Sequence, residues 1–185
     1  FGLAVAMVGR TLVSLGVDSF GIREVATRTT EEALDLVGRI LGAQCWLGAL
    51  YVIGCAGFLI VAGVSPSAIA VTGLLTVYHL SAGFVRSLFL PAFAAQRMAV
   101  PALLDSGSRV LAIIGGITVL LLGGDRLTEV LIGFPVCGVL LVALALRQAR
   151  RELGRIHLDL YPESVFAIAQ QAWPFAAGQV VFRVH

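Results

Sequence analysis

From Ile40 to Val85 the chain carries no Asp, Glu, Lys or Arg. A soluble helix or strand needs a polar face, so an uncharged run of this length has no place on a soluble surface. It is also too long for one membrane span, which takes about 20 mostly apolar residues at about 1.5 Å each. Gly63-Val64-Ser65-Pro66-Ser67 interrupts the run. Clusters of Gly, Ser and Pro break helices, so the run reads as two spans joined by a turn.

Composition extends that reading to the whole chain. Hydrophobic residues make up 58% and charged ones 13%, and the mean hydropathy is +0.95. Soluble domains carry about 25% charged residues. The balance excludes an ordinary soluble domain, a disordered chain and a nucleic-acid-binding module. The fold class expected is all-α integral membrane, a polytopic bundle of about six transmembrane helices. Spans are predicted near 1–17, 36–63, 68–91, 108–122, 127–146 and 164–185, in a single transmembrane bundle over 1–185. Asp18 to Asp35 reads as a loop or interfacial helix, and Arg97 to Arg109 as a polar connection. Gly123-Gly124-Asp125-Arg126 reads as a tight turn, and Arg147 to Glu163 as a charged loop. The chain is apolar from Phe1 onward and stops at His185 within another apolar stretch, which reads as a fragment of a longer protein.

The arginines orient the spans. All thirteen basic residues are arginine. Reversing direction at each span puts Arg23, Arg28, Arg39, Arg86, Arg97, Arg109, Arg147, Arg150, Arg151 and Arg155 on one side. The opposite side receives Arg126. The positive-inside rule makes the arginine-rich side cytoplasmic, and a multi-pass protein of the cytoplasmic (inner) membrane is expected.

Arg10 stands roughly halfway along the first span. A charge at the bilayer centre costs about 2.5–3.5 kcal/mol on insertion scales. Such a residue needs a wet cavity or a buried acid as partner. In a cavity, its guanidinium suits the phosphate of an anionic substrate. Arg183 is a second cation, either deep in a cavity or near the outer interface. His79 lies with Thr76, Tyr78 and Ser81 in the most polar patch of the uncharged run. His79 and Tyr78 can line a cavity, or His79 can be a hydrogen-bonded packing residue. Gln44, Gln170 and Gln171, near span ends, read as interfacial or interhelical hydrogen-bonders. Asp18, Arg23 and Glu24, with Gly21 as a helix end, form either a structural anchor at the inner leaflet or a gate of exchanging salt bridges. Gly38 and Gly42 make a G-x-x-x-G pair that allows a close helix approach, in generic packing or in a dimer.

No catalytic constellation is visible. G-x-S-x-G, H-E-x-x-H and a Walker lysine are all missing from the sequence. The D-G-x-x-A-R motif of membrane phosphatidyl-transferases fails at once, because Ser19 follows Asp18. Cys45, Cys55 and Cys137 form no C-x-x-C pair, so neither a metal site nor a disulfide framework is suggested. The expectation is a protein that is not an enzyme, with no cofactor, no metal and no nucleic-acid partner.

Several segments together resemble the polysaccharide-export flippases of the multidrug/oligosaccharidyl-lipid/polysaccharide superfamily. Phe1-Gly2-Leu3 resembles the start of that family's second helix, and Gly16-Val17-Asp18-Ser19-Phe20-Gly21-Ile22-Arg23-Glu24 its helix-end pattern. Phe93-Ala94-Ala95-Gln96-Arg97-Met98 resembles the turn between the fourth and fifth helices. Ala172-Trp173-Pro174-Phe175-Ala176, followed by Val181-Phe182-Arg183-Val184, resembles the start of the seventh. Family members often carry an acid just after the Arg183 position, where this chain has His185.

The resemblance implies a fold of two six-helix bundles facing a central cavity, often with two added helices. This chain would be most of the N-terminal bundle. It implies that a lipid-linked sugar, a polyprenyl-diphosphate glycan, is moved across the cytoplasmic membrane for cell-surface polysaccharide synthesis. Arg10 would hold the diphosphate, and envelope polysaccharide synthesis proteins would be partners. The competing readings are a multidrug or small-solute exporter of the same superfamily, a membrane enzyme of envelope lipid or glycan synthesis, and a structural subunit without cargo.

Overall fold

The computed structural model describes residues 2–14, 16–121, 131–152 and 154–183. Among these the chain is mostly helical, with no strand. The helices are α1 (Gly2–Ser14), α2 (Val17–Ala26), α3 (Thr30–Val61), α4 (Pro66–Leu88), α5 (Leu90–Ala94), α6 (Ala99–Leu121), α7 (Gly133–Glu152) and α8 (Pro162–Arg183). Among the described residues, five segments are long and apolar enough to cross a membrane: Gly2–Ala26, Thr30–Val61, Pro66–Leu88, Ala99–Leu121 and Gly133–Arg151. The protein is an all-α, multi-pass membrane bundle.

Local signals set the helix ends. Gly16 takes a left-handed φ of 71° and kinks the first span between α1 and α2. That conformation favours glycine, because a Cβ would crowd the following carbonyl. Thr29 and Glu32 cap α3 reciprocally, each side chain bonding the other residue's backbone N–H. Ser65 accepts from the Ala68 N–H, and Pro66 opens α4, where a missing N–H costs nothing.

Helix ends differ from the sequence reading: α3 begins at Thr30 and not near Leu36. The fourth long helix begins at Ala99, so most of the Arg97–Arg109 connection is helix. Its charges, Asp105 and Arg109, pair at one helical turn and continue the helix. Gly21 does not end a helix but lies buried within α2, where an added Cβ would press on Leu90. The Gly123–Arg126 turn lies outside the described residues.

The packing concentrates at one end. Val17 and Phe20 of α2, Val37, Ile40 and Leu41 of α3, Leu88, Phe89 and Leu90 around α5, and Ala145 and Ala149 of α7 form one buried cluster. These segments belong to the arginine-rich side. Along the rest of the bundle, α1 and α7 pack on α4, and α6 packs on α7.

The G-x-x-x-G pair has an unexpected neighbour. The connection between α7 and α8 runs as an extended strap along α3. Any Cβ at Gly38 would collide with the His157 carbonyl, and one at Gly42 with the Asp159 carbonyl. The Asp159 N–H donates to the Gly38 carbonyl at 3.3 Å, and Trp46 Nε1 donates to the Leu160 carbonyl at 3.0 Å. Thus Gly38, Gly42 and Trp46, one turn apart along α3, seat a backbone strap and not a second helix. Asp159 then fixes the entry to α8. It accepts from the Tyr161 N–H at 3.0 Å and from Ser164 Oγ at 2.6 Å. These bonds hold its carboxyl below the usual carboxylate range.

Candidate functional site

Arg10 projects from α1 into the region where α1 packs along α4. It borders two hollows. The larger, about 430 Å³, lies between α1, α3 and α4 and is lined by Arg10, Ser14, Gln44 and His79 among apolar walls such as Val52, Ile53 and Phe84. The smaller, about 240 Å³, adds Arg86, Arg109 and Asp105 around the same guanidinium.

The two hollows have different chemistry. In the smaller, the charges pair off. Arg86 Nε meets Asp18 Oδ2 at 2.9 Å, and Arg109 meets Asp105 at 2.9 Å. The Arg86 guanidinium also stands 5.7 Å from the Phe93 ring centroid, within cation–π range. Among the described residues Arg10 belongs to no ion pair. Asp18 lies close enough to act on it electrostatically, but Asp18 already holds Arg86. With two acids against three arginines, the region keeps a surplus of positive charge.

Beside the larger hollow, two fully buried polar atoms lack partners among the described residues. Gln44 is only 2% exposed, and its Oε1 has no hydrogen-bond partner among the described residues. His79 Nδ1 is buried and equally without a partner. Unpaired buried polar atoms are rare and mark a missing partner. The surrounding polar residues do not supply one. Thr76 bonds back to the Thr72 carbonyl at 2.7 Å, and Ser81 to the Val77 carbonyl at 2.8 Å. Each hydroxyl is satisfied by its own helix.

The remaining sequence candidates fall elsewhere. Tyr78 stacks edge-on against Phe134 of α7, at 5.4 Å between ring centres, and lines neither hollow. Asp18 reaches across to α4, and Glu24 pairs with Arg28 one turn on at 3.0 Å. Neither pairs with Arg23, which is exposed. Arg183 stands in the last turn of α8, with its side chain outside the described residues, as is His185.

Sequence reasoning missed three residues of the site. Gln44 stands midway along α3, not at a span end, because that helix begins at Thr30. Arg86 and Arg109 entered only as orientation markers. The Asp105–Arg109 spacing was a readable signal; the convergence of Arg86 on Asp18 was not, since it joins distant segments.

The chain matches no family model, no curated protein and no solved structure.

Proposed function

We propose that this chain belongs to a transporter that flips a lipid-linked oligosaccharide across the cytoplasmic membrane. The observation that carries the reading is Arg10. It is a cation within the first membrane span, outside every ion pair of the described residues, at the border of a cavity of about 430 Å³. A polyprenyl-diphosphate glycan has a greasy tail, an anionic diphosphate and a polar head. Its tail can stay in lipid while the head crosses a polar cavity, and a guanidinium holds phosphate by paired charge-assisted hydrogen bonds. Rocking of one bundle against another would expose such a cavity to each side in turn. The order of motifs noted in the sequence supports the same superfamily.

The test uses the full-length gene in its host. Depletion should make lipid-linked sugars accumulate on the cytoplasmic face of the inner membrane, and the wild-type gene should clear them. Arg10→Gln should express normally yet clear them at least about tenfold more slowly, the loss of a charge-assisted contact. If no lipid-linked sugar accumulates, the small-solute exporter of the same superfamily takes its place. If Arg10→Gln lowers assembly and leaves flux intact, the cation is structural.

A further inference from the structure

We propose that the end of α7 and the strap after it form a docking surface for an anionic phospholipid of the bilayer. Its phosphate lies on Arg147, Arg150, Arg151 and Arg155, and its acyl chains on Leu158 and Leu160. The proposal does not depend on the flippase reading.

The four arginines differ from their neighbours in having no acid. Arg28, Arg39, Arg86 and Arg109 of the same side each hold one: Glu24, Asp35, Asp18 and Asp105. Arg147, Arg150, Arg151 and Arg155 are all exposed, and among the described residues none belongs to an ion pair. The segment 147–155 that carries them contains one acid, Glu152. Arg23 and Arg97 are exposed outside any such pair too, but as single residues. Ala145 and Ala149 turn one face of α7 into the buried cluster. Arg147, Arg150 and Arg151, at i, i+3 and i+4, share the opposite face. The helix macrodipole favours cations in the last turn of α7, but its effect ends there, and Arg155 lies beyond the helix. Unmatched arginines gathered on one face attract an anion, and a guanidinium suits phosphate.

Helix α3 gives the strap a depth scale. Arg39 is its last charged residue, and the uncharged run starts at Ile40. The strap follows α3 in step. Gly154, with a φ of 101°, lies beside Leu34. The His157 carbonyl lies on Gly38, the Asp159 carbonyl on Gly42, and Leu160 takes the Trp46 bond. Arg155 therefore stands level with the charged turn of Asp35 and Arg39, as headgroups do. Leu158 and Leu160 stand level with the start of the apolar run, and both are exposed. At that depth they meet acyl chains, which are as apolar as leucine. Trp46 and Tyr161, also exposed, mark the interface where aromatic belts sit. A basic layer followed by an apolar layer repeats the order of phosphate and acyl chain in a phospholipid. A free phosphate ion would use the arginines and leave the leucines uncovered.

The test titrates lipid into the full-length protein in uncharged detergent micelles and counts bound lipid by native mass spectrometry. Phosphatidylglycerol should bind more tightly than phosphatidylcholine with the same chains. One arginine near an anionic surface is worth about fivefold in affinity. Arg150→Gln/Arg151→Gln should therefore weaken phosphatidylglycerol about tenfold or more and leave phosphatidylcholine unchanged. Arg28→Gln/Arg39→Gln removes the same charge from arginines that already hold acids, and should change the preference less than about twofold. Leu158→Ser/Leu160→Ser should weaken both lipids, and inorganic phosphate should not compete. Unchanged thermal unfolding in lipid-free micelles separates these effects from misfolding. The proposal is overturned if the preference survives Arg150→Gln/Arg151→Gln, or if Arg28→Gln/Arg39→Gln costs as much, since the charge then acts diffusely. It is also overturned if the leucine variant binds both lipids like the wild type, or if inorganic phosphate displaces phosphatidylglycerol, since the site then takes an ion.

Discussion

Helix α3 passes through two environments: its first half carries Glu31, Glu32, Asp35 and Arg39, and its second half carries no charge. In its first half Val37, Ile40 and Leu41 are buried, enclosed by α2, by the Leu88–Leu90 segment and by the strap before α8. In its second half Ile53 is 71% exposed and Val61 88%. Water would penalise that exposure, whereas lipid does not, because hydrocarbon is as apolar as a leucine side chain. Among the apolar residues of the helix, hydrophobicity therefore does not tell the packed ones from the open ones. What differs is the distribution of small residues and polar backbone contacts. The packed half carries Gly38 and Gly42 in backbone contact with the strap. The open half carries Gly54 and Gly57, where an added Cβ would touch nothing within 4 Å.

The sharpest way to break this comparison is to add one methyl group in each half. Gly42→Ala drives a Cβ into the Asp159 carbonyl and should cost about 2–3 kcal/mol, as overpacking does. Gly57→Ala should be neutral or stabilise by up to about 1 kcal/mol, because alanine suits a helix better than glycine. Thermal unfolding in micelles reads both. Equal effects would mean that the two halves pack alike.

A smaller effect is expected where the packed half meets the site. Asp18 and Arg86 join α2 to α4 at 2.9 Å, and both side chains keep some exposure. Screening limits such a pair, so an Asp18→Asn/Arg86→Gln double-mutant cycle should give a coupling of about 0.5–1 kcal/mol. A coupling near zero would leave the packing alone to hold α2 against α4.

The smallest effect concerns the strap and pH. The carboxyl of Asp159 titrates below its ordinary value of about 3.8, chiefly through the Ser164 hydroxyl and then the Tyr161 N–H. A depressed folded value means stabilisation that is complete above the unfolded value and fades as pH falls through the folded one. The strap should therefore loosen only below about pH 4, read as faster amide exchange around 154–161. Asp159→Asn should flatten that dependence without changing exchange near neutral pH by more than a small factor. An acid response unchanged in Asp159→Asn would assign it to another group.

Much of the site was partly legible. Arg10 stood out because a mid-span charge is costly wherever the helix points. His79 stood out as polar in an uncharged run. Tyr78 looked equivalent to it, yet adjacent residues on a helix point about 100° apart, and Tyr78 turns toward α7. The pairing expected among Asp18, Arg23 and Glu24 was a local guess, and the long-range Arg86 contact took Asp18 instead. Gln44 was hidden because an amide in a span has the same sequence signature whether or not it finds a partner.

The sequence alone determined that this chain is a multi-pass helical membrane protein, that a turn falls at Ser65-Pro66, and that Arg10 needs a special setting. These follow from one-dimensional quantities: span length, charge-free runs and the residues that stop helices. Only the tertiary structure decided that Gly38 and Gly42 receive a strap, that Arg86 goes to Asp18, and that Arg10, Gln44 and His79 share one cavity. Those depend on which helix faces meet. In a chain this apolar no face is marked by hydrophobicity, so shape and backbone hydrogen bonding make the choice.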